Sequence, residues 1–544
     1  MTDKLNDERQ ENHVTGNFEL HKDHEETSFL KHVDGEVEDN LTTEATLVKD
    51  ASFVTNDRTG VIQKIRLDTV YRSKFLLTVW ICISCIVMGL FIGHTGPAFP
   101  DLRLIVNKDL STSSWILTAW TTGYLAGSLI YGVLYDKFNR LLLLFLVIMG
   151  MSLAGGIAPW CSLFPLMVTM RAIGGACVGG LDAGANTVIA AIWGVDGRPY
   201  MQTVHFSFAF GGIISPLITE PFLAPKRPLS EMTKESLNGT ENTSCTNISY
   251  TSVLPCCSNS TNCTITTELE YWGETKVQYA YLISTIIGIL SAVPFLVSYL
   301  QRNSEPRTKE QQEAREASRR ISTQISNLQK ILVMILLMLL IHVYCAVEDT
   351  FASYLMTFSL LHLNWTKLNG SLATTLYWAS FGFGRFSGIF IIRLMHPTKL
   401  LFIYCSFMVI SLAGFTVGSV FLFNPIVWTF CSLTGLALSI IFPTIVTWTE
   451  ETVMPVSGKI ASLFVIAGSS GTMLNPLYLG YLMDNKSPLW FPYLLLGQSM
   501  LCLLLFSVVF ICTKTCIKRE SGTELEIHCQ EQEEEQENLN SSHA

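Results

Sequence analysis

Long apolar stretches recur along the chain between residues 75 and 512, and polar segments enclose them at both ends. An apolar stretch of about 20 residues forms a helix about 30 Å long, which matches the hydrocarbon thickness of a bilayer. We therefore expect an all-α membrane protein with twelve transmembrane helices. The pattern places them at residues 75–99, 113–135, 141–159, 163–190, 199–223, 277–300, 329–357, 371–393, 398–421, 426–448, 459–483 and 489–512.

Two polar spacers interrupt this series of spans. The first is rich in Asn, Ser and Thr, and the second is charged and leaves six predicted spans on either side. The predicted organisation is a cytoplasmic tail at 1–74, a six-helix half at 75–300 that includes an outer loop at 224–275, a cytoplasmic central loop at 301–327, a second six-helix half at 328–512, and an acidic cytoplasmic tail at 513–544.

The two predicted halves resemble each other in sequence. Thirteen residues separate Gly180 from Trp193 in the fourth span, and the same interval separates Gly435 from Trp448 in the tenth. Transporters built from internal repeats bind their substrates near the membrane midplane, between the repeats. The pattern therefore favours a transporter with the major facilitator fold over a helical bundle that is only structural.

Charge predicts the orientation of the spans. Only 15% of the residues are charged, against about 25% in soluble domains. The Lys and Arg residues near the span ends and in the short loops fall on one side, which is expected to be cytoplasmic. The loop at 224–275 then faces outward. It carries five acceptor sequons, at Asn238, Asn242, Asn247, Asn259 and Asn262, which predict glycosylation.

The same outer loop contains four cysteines. They predict two disulfides, and the sequence leaves all three pairings open. The residues are Cys245, Cys256, Cys257 and Cys263.

The loop after the second span, "GVLYDKFNR" at 132–140, resembles a cytoplasmic motif of the major facilitators. Asp136 and Arg140 match that motif, and Asn139 stands where Gly is usual, so a left-handed turn at Asn139 is expected. Asp136 with Arg140, and Glu450 with Arg393, are predicted to form an inner gate.

The fourth span carries polar side chains at depths where a charge is costly. Arg171 and Asp182 are eleven residues apart, so both project from nearly the same helix face, about 16 Å apart. Asn186 follows Asp182 by one turn and shares that face. A charge inside the membrane usually faces a cavity, which we expect for Asp182. For Arg171 a structural role in holding helices together stays open.

Other spans hold further candidates for a polar site. His342 and Asp349 share a helix face, and Arg385 has the charge to pair with an acid of the seventh span. For His205 and His342, a bond that only joins two helices is an equal alternative. Trp120, Tyr124, Trp378 and Phe381 are candidates to stack on a ring, whereas Trp115 is expected to face the membrane interface. The polar candidates are Gln202, His205, His342, Glu348, Asp349, Arg385 and Asn475.

No sequence pattern indicates an enzyme. The chain lacks a phosphate-binding loop, the metalloprotease pair of histidines and a nucleophile elbow, and its cysteines lack zinc spacing. We therefore expect no catalytic residues, no metal site, no cofactor apart from a coupling ion, and no nucleic-acid partner.

Several stretches resemble the fucose-permease-like branch of the major facilitators, and in particular the sodium-dependent glucose transporter 1 group. They are "GGLDAGAN" at 179–186, "GPAFPDL" at 96–102, "MQTVHFSFAFGGIISP" at 201–216, "FPTIVTWTEE" at 442–451 and "GKIASLFVIAGSSGTMLNPLYLGYLMD" at 458–484. The resemblance covers residues 75–512. It implies sodium-coupled uptake of glucose or a related hexose by alternating access, in the plasma membrane, with the apical surface as one option.

The resemblance also implies roles for particular residues. Asp182 occupies the acidic position linked to coupling and sugar recognition, Asn186 the polar position beside it, and Glu348 an acidic position common in the seventh span. A carboxylate binds a hard cation or a proton, and the sequence leaves both open. Two further functions also stay open: a proton-coupled or uncoupled carrier of another small polar solute, and a membrane receptor or scaffold that transports nothing.

Overall fold

The computed structural model describes residues 65–194, 198–228, 270–301, 327–454 and 458–515. Thirteen helices, α1 to α13, account for nearly all of these residues. In chain order they are Thr69–Val106, Leu110–Lys137, Arg140–Ile157, Phe164–Trp193, Arg198–Thr219, Val277–Gln301, Asn327–Leu361, Lys367–Leu394, Pro397–Val420, Asn424–Leu438, Ile441–Thr452, Gly458–Asn485 and Trp490–Thr515. The expected all-α membrane fold is confirmed.

Two short 3₁₀ turns, Ala158–Trp160 and Glu220–Phe222, extend α3 and α5. The predicted outer loop begins and ends in a pair of short antiparallel strands, β1 (Lys226–Pro228) and β2 (Glu270–Trp272), in which Lys226 lies opposite Trp272. The sequence pattern gave no sign of this hairpin, because three-residue strands carry no measurable periodicity.

Residues up to Phe75 form one unit and residues from Leu76 onward form another. In the first unit the structure describes the chain only from residue 65, where the Asp68 carboxylate accepts a hydrogen bond from the Val70 N–H at 2.8 Å. The second unit contains the helical bundle and every site discussed below.

Ten helical segments among the described residues are long and apolar enough to cross a membrane, with α10 and α11 counted together as Asn424–Thr452. The helices α2 and α8 have 28 residues each and pack in the same bundle, but they are richer in Ser, Thr and Gly. Their polar side chains lower the hydropathy of these two helices. Such side chains are tolerated where they face protein or the cavity instead of lipid. The total of twelve spans stays a prediction.

The tenth predicted span is interrupted where the sequence suggested one helix. It ends as α10 at Leu438 and resumes as α11 at Ile441. Pro443 has no N–H to donate to the carbonyl of Ser439, so the helical ladder is broken there. The Ser439 hydroxyl also lies where a Cβ on Gly384 of α8 would be, at 2.0 Å. A close approach between α8 and this break therefore fixes the bend.

The expected left-handed turn at Asn139 is wrong. Asn139 has φ −66° and ψ 122°, and its Oδ1 accepts hydrogen bonds from the N–H groups of Leu141 and Leu142. The residue is the N-cap of α3, a position at which an Asn side chain satisfies otherwise unpaired donors. The side chain, and not backbone tolerance, explains why Asn suits this position.

Each half has its own hydrophobic core, one built mostly from residues 81–295 and the other mostly from residues 333–509. In the first half α2 packs closely on α4. A Cβ on Gly175 would lie 2.0 Å from the carbonyl oxygen of Trp120, and one on Gly127 would lie 1.9 Å from that of Ala176. The halves meet chiefly where α2 packs on α12 and α5 packs on α8.

Candidate functional site

A cavity of about 280 Å³ lies between the two halves. Residues of α1, α2, α4 and α5 line it from the first half, and residues of α7, α8, α11 and α12 line it from the second. Small-molecule sites typically occupy about 300–1,000 Å³, so this volume suits one small ring better than a large ligand. A cavity between the halves is where a transporter built from repeats would bind its substrate, and its depth in the membrane stays a prediction.

Arg171 of α4 is the most buried charged group in the cavity wall, with 1% of its surface exposed. Its Nη2 donates to the Thr95 hydroxyl at 3.0 Å, and its guanidinium carbon lies 4.3 Å from the centre of the Trp120 ring. Its Nε and Nη1 have no hydrogen-bond partner among the described residues. Unpaired buried donors are costly. The Nε and Nη1 atoms of this cation are therefore available to donate hydrogen bonds to a ligand.

Glu348 of α7 is satisfied by neighbours. Its Oε2 accepts a hydrogen bond from Tyr344, and its Oε1 lies 3.8 Å from Nη2 of Arg385, a residue of α8. The Arg385 guanidinium also lies 4.9 Å from the centre of the Phe381 ring. The expected pairing of Arg385 with an acid of the seventh span is therefore present in the structure.

Asp349 also lines the cavity, one residue after Glu348. Among the described residues no hydrogen bond or ion pair within 4 Å reaches its carboxylate, although the charges of Glu348 and Arg171 act on it. With Arg171, Arg385 and Glu348, it gives the cavity wall two cationic and two acidic side chains. The formal charge of these four side chains balances when both acids are ionised.

Aromatic rings cover much of the remaining wall. Trp120, Tyr124, Phe208, Tyr377 and Trp378 all line the cavity. Phe381 packs edge-on against Trp378 with ring centres 5.7 Å apart and lies behind the wall. Trp115, five residues before Trp120, is 52% exposed and points away from the bundle. This division agrees with the roles expected for the two tryptophans of α2.

Asp182 does not itself line the cavity. Its Oδ2 accepts a hydrogen bond from the Tyr124 hydroxyl at 2.6 Å, and its Oδ1 accepts one from Nδ2 of Asn186 at 3.2 Å. Tyr124 belongs to the cavity wall, so one hydroxyl links the carboxylate to the cavity. The helical spacing correctly placed Asp182 and Asn186 together; their role in coupling stays a prediction.

Two candidates on α5 lie near this pair. His205 is partly buried, and the charges of both Arg385 and Asp182 act on it. Gln202, one turn before it, is partly buried and makes no hydrogen bond to any described residue. Neither side chain lines the cavity, so contact with a substrate stays a prediction for both.

Asn475 and His342 hold helices together. The Asn475 amide donates to the carbonyl of Ala346 at 3.0 Å and to the Thr350 hydroxyl at 2.6 Å, and its oxygen accepts from Gln498 at 2.8 Å. His342 Nδ1 lies 2.8 Å from the Ser470 hydroxyl. Asn475 is fully buried outside the cavity wall, and these contacts support the structural alternative for His342.

Each predicted pair of the inner gate has one side chain outside the described part of the structure. This applies to Asp136 and Arg393. Arg140 Nε donates to the carbonyl of Tyr135 at 3.5 Å, and Glu450 is exposed. The five sequons and four cysteines of the outer loop also lie outside the described residues, and the gate pairs and modifications stay predictions.

Sequence reasoning missed a set of contacts that joins the two halves on the predicted outer side. We call them the outer contacts. Lys367 donates to Asp101, the Ser111 N–H donates to Asp484 at 3.2 Å, Ser114 bonds the Tyr354 hydroxyl at 2.7 Å, and Thr118 donates to the Met473 carbonyl at 3.0 Å. Asp101 stood inside the quoted stretch "GPAFPDL", and an acid within an apolar helix end was the available signal.

His94 was also missed. It is fully buried on α1, where its ring nitrogens lie 2.6 Å from the Thr219 hydroxyl, 2.8 Å from that of Ser215 and 2.7 Å from that of Ser284. The residue ties α1 to α5 and α6, a structural role that its sequence neighbours do not reveal.

The described residues contain no group of three or more His, Cys, Asp or Glu side chains arranged to hold a metal ion.

Comparison with known proteins identifies the family. Residues 79–224 and 269–476, more than half of the chain, match the sequence model of the Major Facilitator Superfamily. Sodium-dependent glucose transporter 1 from Homo sapiens is 29% identical over 438 residues, which cover 79% of this chain and 78% of that protein. The protein of the same name from Rattus norvegicus is 31% identical over 457 residues, covering 82% and 88%.

A solved structure agrees with this assignment. The crystal structure of the E. coli fucose:proton symporter has a TM-score of 0.51 to this chain at 16% identity and covers 82% of this chain and 99% of the symporter. At that identity the likeness establishes the fold alone. The resemblance inferred from the sequence is confirmed. The chain belongs to the Major Facilitator Superfamily, and its relatives mark it as a transporter rather than an enzyme.

Proposed function

We propose that this protein carries glucose or a related neutral hexose across the plasma membrane together with sodium, by alternating access. The observation that carries the proposal is the cavity between the halves, which combines aromatic faces with hydrogen-bonding side chains of both signs. A hexose has the matching surface, since its C–H groups pack on rings and its hydroxyls both donate and accept hydrogen bonds.

The charges of the wall support a neutral substrate. Two cationic and two acidic side chains line a space of about 280 Å³. A charged ligand would leave one net charge uncompensated at mid-membrane, where each uncompensated charge costs at least about 2.5 kcal/mol. A neutral polyol exchanges its hydrogen bonds with water for bonds to these groups without that cost.

The outer contacts support alternating access. They join the halves on the predicted outer side, above the cavity, through bonds such as the one from Lys367 to Asp101. Hydrogen bonds between two rigid halves can break and reform as the halves rock, so one set of contacts closes one face at a time. Contacts of this kind support a transport cycle in which the two faces of the protein close in turn.

The proposal that sodium is the coupling ion is supported by the names of the relatives and by one acidic side chain. Both curated relatives described above bear the name sodium-dependent glucose transporter 1. Asp182 offers carboxylate oxygens beside Tyr124 and Asn186, and oxygen donors suit hard cations. A proton bound at the same carboxylate is the alternative, and the E. coli protein named above is a fucose:proton symporter.

The test is uptake of radiolabelled D-glucose into vesicles reconstituted with the full chain. Uptake is measured with sodium and with choline replacing sodium, each at two pH values. We expect uptake that requires sodium and varies little with pH. Asp182→Asn serves as the matched variant, since it removes the charge and keeps the shape.

The outcomes separate the candidate functions. Uptake that follows the pH gradient and ignores sodium would refute sodium coupling and leave a proton-coupled hexose carrier. No uptake above empty vesicles under any condition would refute the whole proposal and favour a carrier of another solute or a receptor. Staining of intact cells with an antibody to the outer loop tests the plasma-membrane location.

A further inference from the structure

Arg171 and Asp349 line the same cavity from opposite halves. Each has polar atoms that make no hydrogen bond to a described residue. Arg171 belongs to α4 and has two guanidinium nitrogens, Nε and Nη1, without partners among the described residues. Asp349 belongs to α7 and accepts no hydrogen bond from any described residue, although the two charges attract each other. The unpaired donors of Arg171 and the unpaired carboxylate of Asp349 therefore lie on opposite sides of the cavity. We call the space between them the Arg171–Asp349 gap.

The surroundings keep Arg171 from turning elsewhere. The Trp120 ring covers one face of the guanidinium at 4.3 Å, and Thr95 fixes Nη2 at 3.0 Å. A guanidinium donates hydrogen bonds in its own plane, so the unpaired nitrogens at its edge remain available. Buried donors of a charged group are costly to leave without partners, so a ligand that accepts hydrogen bonds from them is favoured.

In the second pair of charges in the wall, Glu348 and Arg385, the acid already has partners. Glu348 accepts from Tyr344 and lies 3.8 Å from Arg385. Arg385 Nε also has no hydrogen-bond partner among the described residues, but its acid already accepts a hydrogen bond and lies beside its cation. The Arg171–Asp349 gap therefore differs in having unused donors on one side and an unused acceptor on the other. A ligand that bridges the gap must accept from the cation and donate to the acid.

We infer that one sugar ring bridges Arg171 and Asp349, so that its oxygens accept hydrogen bonds from the Arg171 edge and its hydroxyls donate to the Asp349 carboxylate. The inference rests on the proposed function and adds to it the pair of side chains that recognises the substrate. A carboxylated sugar would satisfy Arg171 but would repel Asp349, so the pair selects neutral polyols. Because one residue comes from each half, bound sugar also holds the halves together.

The experiment is a double-mutant cycle between protein and ligand. Equilibrium dissociation constants of D-glucose and of its monodeoxy analogues are measured for the purified full chain, by the fluorescence of the cavity tryptophans or by radioligand binding. The protein variants are Arg171→Lys, Arg171→Gln and Asp349→Asn. Equilibrium binding is the readout because defects in ion coupling affect it less than they affect uptake.

In the wild type we expect at least one deoxy analogue to bind about tenfold more weakly than glucose, the effect of losing one hydrogen bond to a charged group. In Arg171→Gln, glucose itself should bind about tenfold more weakly, and the same analogue should lose nothing further. Arg171→Lys keeps the charge but loses the planar edge, so it should behave as Arg171→Gln does.

Three controls keep the test decisive. Arg72→Gln makes the same chemical change at an exposed position and should leave every constant unaltered. If the Arg171 variants do not fold, Asp349→Asn provides the same cycle from the other half. D-Glucuronate should bind at least tenfold more weakly than glucose to the wild type, and this difference should shrink in Asp349→Asn.

Two results would overturn the inference. The first is that each analogue loses the same factor in the variants as in the wild type, which would mean that no hydroxyl contacts the pair. The second is unaltered glucose affinity in both Arg171→Gln and Asp349→Asn. Either result would leave glucose binding by the wild type intact, whereas a wild type that binds no hexose would refute the proposed function as well.

Discussion

Lys367, the first residue of α8, donates a hydrogen bond to Asp101 near the end of α1 on the predicted outer side, and this ion pair is one of the contacts that join the two halves of the bundle. The Asp101 carboxylate is fully buried and also accepts from the N–H of Ala224 at 2.7 Å and from the Thr275 hydroxyl. The Lys367 ammonium lies 4.3 Å from the centre of the Trp272 ring. The ends of the outer loop thus take part in closing the outer face.

Removing this pair should open the outer face. Lys367→Met leaves Asp101 buried without its cation, and breaking one partner of a buried pair costs about 3–5 kcal/mol in the state that contains it. The population should shift toward conformers with the outer contacts broken by at least tenfold. A cysteine introduced as Ser353→Cys in the cavity wall, at a residue that is not one of the outer contacts, reports the shift through faster labelling by a membrane-impermeant thiol reagent.

The matched control is Lys276→Met, which removes an exposed lysine from the same side of the protein. Its labelling rate should equal that of the parent, and the parent without the introduced cysteine corrects for native thiols. An unchanged rate in Lys367→Met would mean that the pair does not hold the outer face.

Asp182 should be needed for concentrative uptake and not for folding. Asp182→Asn keeps the shape of the side chain but loses the charge that accepts from Tyr124. We expect normal amounts at the cell surface, no sodium-driven accumulation, and persisting exchange of labelled for unlabelled sugar across vesicles. Normal accumulation with unaltered sodium dependence would show that the carboxylate is structural.

The two tryptophans of α2 provide a matched pair. Trp120 lines the cavity and Trp115 is 52% exposed. Trp120→Ala should weaken sugar affinity by about tenfold or more, because it removes a stacking surface and the ring that holds Arg171, each worth about 0.5–2 kcal/mol. Trp115→Ala should leave affinity unchanged. Equal affinities in the two variants would exclude stacking on Trp120.

Asn475 should affect stability and leave substrate affinity unaltered. Asn475→Ala leaves Gln498, Thr350 and the Ala346 carbonyl without their shared partner. Each unsatisfied buried group costs about 1–3 kcal/mol, so thermal unfolding in detergent should occur several degrees lower. The KM for sugar should stay within twofold of the wild type. A large rise in KM without loss of stability would restore Asn475 to the binding site.

The topology is tested through the outer loop. Glycosidase treatment should increase the mobility of the protein on a gel, and simultaneous substitution of the five Asn residues by Gln should abolish the shift. Epitopes on both tails should stain only permeabilised cells, since the distribution of positive charge predicts that both tails are cytoplasmic. A tail epitope that stains intact cells would reverse the orientation. The residues substituted are Asn238, Asn242, Asn247, Asn259 and Asn262.

Sequence reasoning worked where it depended on neighbours along one helix. The bond from Asn186 to Asp182, at 3.2 Å, joins residues one helical turn apart and follows from helix geometry. The helices themselves followed from hydropathy because lipid imposes one strong rule on every span.

The sequence could not reveal contacts that depend on how the halves meet. Asp101 and Lys367 are 266 residues apart, and no periodicity relates them. Asn475 looked available for a ligand because its partners, Thr350 and Gln498, belong to other helices. The same limit applied to Asp182. The sequence predicted that this residue faces the cavity, but the Tyr124 side chain lies between the Asp182 carboxylate and the cavity.

The β1–β2 hairpin has a consequence for how this protein can change over evolutionary time. The strands fix the two ends of the outer loop side by side, with Pro228 opposite Glu270. Lengthening a loop whose ends are already held together costs only about 0.6 kcal/mol for each doubling. Insertions between these strands should therefore be tolerated, and this segment can diverge between species, or accept an engineered tag, without disturbing the carrier beneath it.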